Sequence, residues 1–457
     1  GRAAVPRDAL CCPPSVWHEV MGEEQLNAQL ASSWVEFDEA SAPALEALGV
    51  RKLDGTKLLC HFALRSFAEL NDGVRRSVKQ YICNNWDALK DSHELLQAIS
   101  ECAFVETGQA ASAEGQQMPR FKRASDLLDP TNEVLGAVFR NRPDKFPCSK
   151  TCDSLWLQVL RAAGLRSQVD TAIFTECVME IQARGVASLN NTEQSSDVES
   201  DRVWNAALKL AQYLVLEPQL LHTSGFPQTI SSIQFVPARI GIPAPCSGNQ
   251  GRCLTSFQDG ALRKDWALVW GHSPILEDSC VPAASFWGQL SLRSPPPFSK
   301  VAEHLEKVAS RGNVLEEWPR QAGPPEQAFS AVLSHLGAEG LTAQQAERLS
   351  RAAFVPVANA TRLSRPSSLF SRLKADIAPF AFEVPSAFFP HMKVLEQLGV
   401  RGEPAAGELL EILRELAGTS PRRRLNANER GAFLRTLQWV AETAPPGSRE
   451  EHQVRRG

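Results

Sequence analysis

The chain has 457 residues, room for roughly two to four domains with sizeable cores. Its hydrophobic fraction of 43% belongs to a globular polypeptide, and no run of about 18 apolar residues is present to span a bilayer. A formal net charge of -4 supplies no general attraction to nucleic acid or to an anionic membrane.

Eleven cysteines are too sparse for a disulfide scaffold, and Cys60, Cys83, Cys102 and Cys177 stand beside apolar neighbours, so reduced core residues of an intracellular protein are expected. The chain opens on Gly1 rather than methionine, so its start says nothing of a targeting signal.

In chain order, the first stretch reads as irregular, with Pro13-Pro14 arguing against an early helix. A short helix opens near Pro43 and stops at Gly49, and helical spacing continues from His61 to Leu70 and through Val74, Val78, Tyr81, Ile82, Trp86 and Leu89. Gly108 to Gln117 reads as an exposed loop. Helices are expected from Ser154 to Leu160 and from Ala172 to Ile181, before a polar loop over residues 185–200. Val203 to Val215 is strongly amphipathic and ends at Pro218. Ile233 to Pro237 alternates like a strand, but Pro237, Pro243 and Pro245 forbid a continuing central strand, and Trp266 to Trp270 reads as a second strand. Past the stiff Pro295-Pro296-Pro297 step, Val301, Leu305 and Val308 mark a helix, and two more fall between Phe329 and Leu349, the second with a capping box from Thr342 to Gln345. Beyond Pro404 a helix carries Leu409, Leu410 and Leu413, and Asn426 caps the last one with Glu429 as its reciprocal partner.

One order of events occurs twice. Phe354-Val355-Pro356-Val357 leads through a turn to Leu363-Ser364-Arg365-Pro366 and Leu369-Phe370, then to Phe389-Pro390 and a helix that stops at Leu398-Gly399-Val400. Earlier, Phe104-Val105-Glu106-Thr107 leads to Phe121, Leu127-Leu128, Phe146-Pro147 and a helix that stops at Gly164-Leu165. Phe235-Val236 opens a degenerate middle member. The openings lie about 120 residues apart, which indicates either repeated units of that size or one unit of twice the length. The expected architecture is α+β, small β-sheets flanked by many helices. Its segments are an irregular start (1–42), the helical part of an incomplete repeat (43–103), a unit (104–232), a divergent middle unit (233–353), a last unit (354–441) and a tail (442–457).

A search for chemistry returns little. Ser247-Gly248-Asn249-Gln250-Gly251 lacks the lysine and hydroxyl of a phosphate loop. Gly271-His272-Ser273-Pro274 is the nearest approach to a nucleophile elbow, and a turn is the better reading. Cys246, Cys253, His272 and Cys280 are four metal-ligand types within a short span, but their spacing fits no compact zinc knuckle; Cys148 and Cys152 are four apart. Arg422-Arg423-Arg424 reads as a solvated loop. No catalytic, cofactor-binding or metal-binding residue is assigned.

The combined pattern resembles the repeat regions of sacsin and its plant and algal relatives. The residues that carry the resemblance are Phe354 to Val357, Leu363 to Phe370, Leu398-Gly399-Val400 with Pro404, Leu425 to Glu429, Phe235-Val236-Pro237, and Leu268 to Leu276, so it covers about residues 43 to 440. It implies modular sacsin-type repeats and a cytoplasmic, non-enzymatic segment of a chaperone or co-chaperone involved in protein folding. Unfolded clients and heat-shock chaperones are the implied partners, with no role for nucleic acid or membrane. The family's nucleotide-binding residues do not carry over, because its Asn-x-x-Asp helix and glycine-rich lid have no match here. The competing readings are a hydrolase with a noncontiguous site, joining groups such as His272, Cys253 and Cys280, and a structural spacer.

Overall fold

A computed structural model of the chain describes residues 10–11, 13–22, 39–48, 50–108, 121–149, 152–190, 197–241, 251–311, 315–316, 318, 323–357, 361–419 and 425–443. The chain forms two compact units, Gly1–Leu210 and Ala211–Gly457, each a mixture of helices with small sheets of two or three strands. The α+β reading therefore holds at that level.

In the first unit the Asp72–Asn84 helix starts where Asn71 accepts a hydrogen bond from the Val74 N–H at 2.9 Å. Val74, Val78 and Ile82, four residues apart, turn to the core. Ser92 caps the His93–Glu101 helix and Asp153 caps Ser154–Ala162 in the same way. These helices close over a core of Leu58, Leu59, Leu95, Ile99, Phe104, Leu127 and Leu160. In the second unit, Phe298–Ser310, Pro325–Glu339 and Ala343–Ser350 surround Phe354, Leu369, Phe388 and Leu395. A smaller cluster of Phe370, Ile377, Leu409, Trp439 and Val440 lies with the last two helices, Ala406–Thr419 and Ala427–Thr443.

The repeated order in the sequence has a common hydrogen-bonding pattern. Three antiparallel hairpins share one register: Val105, Val236 and Val355 face Lys122, Thr255 and Ser364, and the next residues, Glu106, Pro237 and Pro356, face Phe121, Leu254 and Leu363. In the first and third, a single 3-10 turn follows (Ala124–Asp126, Pro366–Ser368) and the chain returns through Leu127-Leu128 or Leu369-Phe370. That return pairs in parallel with the residue two past a glycine. Arg166 donates its N–H to the Leu127 carbonyl at 3.0 Å, and Arg401 donates to Leu369 at 3.2 Å.

The preceding glycines, Gly164 and Gly399, have φ of 96° and 100°, the left-handed region that ends a helix without a Cβ clash. The next N–H reaches back five residues in both, Leu165 to Leu160 and Val400 to Leu395. Near the start, Leu10 and Cys11 pair in parallel with Arg51 and Lys52, and the Val50 N–H reaches Leu45. That third closure matches the other two, although Gly49 itself lies outside the described residues.

Four expectations are corrected. Pro14–Met21 is a helix, because a proline at the first helical position loses an N–H that has no intrahelical partner there. Trp266–Val269 is a helical turn rather than a strand. The alternation of Trp266, Leu268 and Trp270 also satisfies an i, i+4 spacing, and the Trp270 N–H bonds to Trp266 at 2.9 Å. Pro237 stands in the central strand of a three-stranded sheet: its missing N–H falls where the Ile275–Leu276 ladder has ended, while its carbonyl still accepts from Glu277. Residues 185–190, expected in a loop, continue the Thr171–Asn190 helix, and Asp197–Leu216 follows. The expected loop over Gly108 to Gln117, the glycine cluster near Gly248, Cys246, and Arg422 to Arg424 lie wholly or mostly outside the described residues.

Candidate functional site

Two places collect groups that the core alone does not require. The first is a cleft of about 290 Å³ in the first unit, lined by Phe67, Phe104, Phe121 and Trp156 and by Asp72, Arg75, Arg76, Lys79 and Glu106. Its floor is a set of edge-to-face rings: Phe67 lies 6.1 Å from Phe104 and 5.7 Å from Phe121, and Phe104 lies 5.6 Å from Trp156. Phe121, half-buried, is the most open of them. The hairpin register sets Phe121 opposite Glu106 and so places both at this cleft.

The charged wall comes from one helix face. Positions 72, 75, 76 and 79 follow the helical period and flank the apolar stripe of Val74, Val78 and Ile82. Arg75 donates to Asp72 at 2.6 Å and to the Ala68 carbonyl at 3.2 Å, and its guanidinium lies 4.9 Å from the centre of the Phe121 ring. Lys79 stands 3.7 Å from Asp153 and 5.2 Å from the centre of the Trp156 ring. Arg76 is exposed and donates to the Asp72 carbonyl; among the described residues no carboxylate pairs with it.

In the second unit a helix also packs beside a hairpin. There Pro325–Glu339 lays Phe329, Val332, Leu333 and Leu336 into the core and packs on the Val355–Val357 strand, so the contact is apolar.

The second place surrounds Gly271. Its N–H donates at 3.1 Å to Nδ1 of His304, which is fully buried and meets Trp270 edge-on at 5.0 Å. Because Nδ1 accepts, the proton resides on Nε2, which has no hydrogen-bond partner among the described residues. Burial, with His272 and Arg311 adding repulsion, pushes the His304 pKa down to about 3. A Cβ on residue 271 would stand 2.9 Å from Nδ1, which explains why glycine is needed there. His272 points elsewhere, to Glu303 at 2.9 Å, and burial lowers its pKa as well.

The residues considered for a noncontiguous site do not converge. Cys253 lies in the Arg252–Thr255 strand with its Sγ 3.5 Å from the Ala238 carbonyl, and Cys280 is buried in the Asp278–Cys280 turn. Burial raises both thiols to about 11, which leaves them poor nucleophiles at neutral pH. Ser273 is buried in the turn after Val269. Among the described residues no group of three or more His, Cys, Asp or Glu side chains is set to hold a metal ion, and no helix is long and apolar enough to cross a membrane.

Sequence reading missed one close pair, Ser330 and His391, whose Oγ and Nε2 are 2.6 Å apart across 61 residues. His391 directly follows the Phe389-Pro390 step, but nothing in that step points to Ser330. The cleft was missed for the same reason. Its rings stand at 67, 104, 121 and 156, and the Arg75, Arg76, Lys79 face has the spacing of any solvated helix surface. No protein-family model, curated protein or solved structure matches the chain.

Proposed function

We propose that the chain is a non-enzymatic scaffold and client-binding segment of a sacsin-like chaperone or co-chaperone, acting in the cytoplasm on unfolded or misfolded proteins. The observation that carries the reading is the cleft between the Asp72–Asn84 helix and the Val105–Glu106/Phe121–Lys122 hairpin, an aromatic surface between helical and strand elements bordered by fixed charges. The threefold recurrence of the hairpin register supports a modular array, and arrays of this kind present binding surfaces rather than enclosed reaction centres.

The mechanism is reversible burial of a client's apolar side chain against Phe121 and the rings behind it, with affinity from apolar area and little sequence selectivity. Sequence resemblance supplies the chaperone context. An aggregation assay tests the proposal: the chain at equimolar ratio should slow the aggregation of several chemically denatured proteins. Absence of protection across the whole set would leave the spacer reading in its place.

A further inference from the structure

The cleft carries more charge than a purely apolar client needs. Three cations, Arg75, Arg76 and Lys79, enter it from a single helix face, against Asp72 and Glu106 among the lining residues. Two of the three are fixed in place. Arg75 is only 15% exposed, bonded to Asp72 and the Ala68 carbonyl and set over Phe121. Lys79 is 21% exposed, set over Trp156 beside Asp153. The third, Arg76, projects into solvent at the rim with its guanidinium facing no carboxylate among the described residues. Fixed cations above aromatic faces give up little side-chain entropy when an anion arrives, and an arginine fork matches a carboxylate in plane.

We infer that the cleft is a docking site for an acidic segment of another protein, one in which aspartate or glutamate flanks an aromatic or large aliphatic residue. The apolar residue lies against Phe121 while a flanking carboxylate pairs with Arg76 and a second approaches the Arg75–Lys79 edge. The inference rests on the client-binding reading and names the chemistry the first unit selects. The occupant is a polypeptide rather than a nucleic acid, because Asp72, Glu106 and Asp153 stand among the cations and would repel a continuous phosphate backbone.

The experiment is a fluorescence-anisotropy titration of the intact chain with labelled hexapeptides. One has aspartate and glutamate around a central phenylalanine, one has asparagine and glutamine in their place, and one has lysine. A short single-stranded oligonucleotide serves as the fourth probe. The acidic peptide should bind about tenfold more tightly than its neutral twin, the factor supplied by one charge-assisted hydrogen bond, and the advantage should shrink with added salt. Arg76→Glu, at an exposed position with no buried contact to lose, should abolish that advantage without shifting the melting temperature. Equal affinity for the acidic and neutral peptides, or an acidic preference untouched by Arg76→Glu, overturns the inference, as does tighter binding of the oligonucleotide. Denatured proteins titrated alongside separate the two levels. If they bind while the acidic preference fails, client binding stands and its selectivity does not; if they too fail to bind, both are overturned.

Discussion

The neutral, fully buried His304 should make the second unit acid-sensitive, and the size of the effect follows from its environment. In the unfolded chain a histidine takes up a proton below its ordinary value of 6.5, whereas in the fold it resists protonation down to about 3. Between those values the unfolded state binds more protons, so stability falls as pH falls and the loss stops below about 3. Each pKa unit is worth about 1.4 kcal/mol, so the full effect is about 5 kcal/mol, and the step from about pH 7 to about pH 5 costs about 2 kcal/mol. Holding the pH at or above about 5 keeps most carboxylates ionised in both states and out of the measurement.

Urea unfolding followed by tryptophan fluorescence, at both pH values, gives the slope for the native chain and for His304→Asn, whose amide oxygen stands at the δ position and retains an acceptor for the Gly271 N–H. His272, whose pKa burial also lowers, remains in both proteins and contributes a common background. The native chain should lose about 2 kcal/mol more than the variant on acidification. Equal losses would refute the assignment of a neutral, desolvated His304.

Gly399→Val and Gly164→Ala should each destabilise their unit by about 1 to 3 kcal/mol, because a side chain at φ near +100° is strained whatever space surrounds it; an unchanged melting curve would contradict this. Gly271→Ala should cost a similar amount for a different reason, overpacking against His304 Nδ1 and Val308, and should restore little stability when pH is raised. Thr342→Ala removes the hydroxyl that accepts from the Gln345 N–H, leaving only the backbone half of the capping box at Ala343–Ser350, and should cost about 1 kcal/mol in a urea titration, with no change in client binding.

The parts of the fold governed by neighbours in sequence were legible. Thr342 and Gln345 form the reciprocal cap that their spacing announces, and Asn426 and Glu429 do the same, each donating a backbone N–H to the other's side chain at 2.8 to 2.9 Å. Val355–Val357 is a strand whose residues are all buried, and the Arg362–Ser364 strand, the Pro366–Ser368 turn and the Leu369–Phe370 return follow in the expected order. Where two periods coincide the sequence misleads, as at Trp266 to Trp270, where the spacing of large residues fits either a strand or one helical turn. Proline misleads when its missing donor lands at a ladder's end, as at Pro237, or in a first helical turn, as at Pro14. The site was the least legible part. Its aromatic floor draws on four segments joined only by folding, and its cations look like solvent-facing residues until the hairpin is seen beneath them.

Equilibrium binding of the intact chain to a panel of unfolded proteins and their native forms, with an acidic phenylalanine peptide as competitor, tests the central claim most directly. The account predicts that unfolded members bind, native members do not, and the peptide displaces the former. Failure of every unfolded protein to bind, or equal binding of native and unfolded forms, would contradict it.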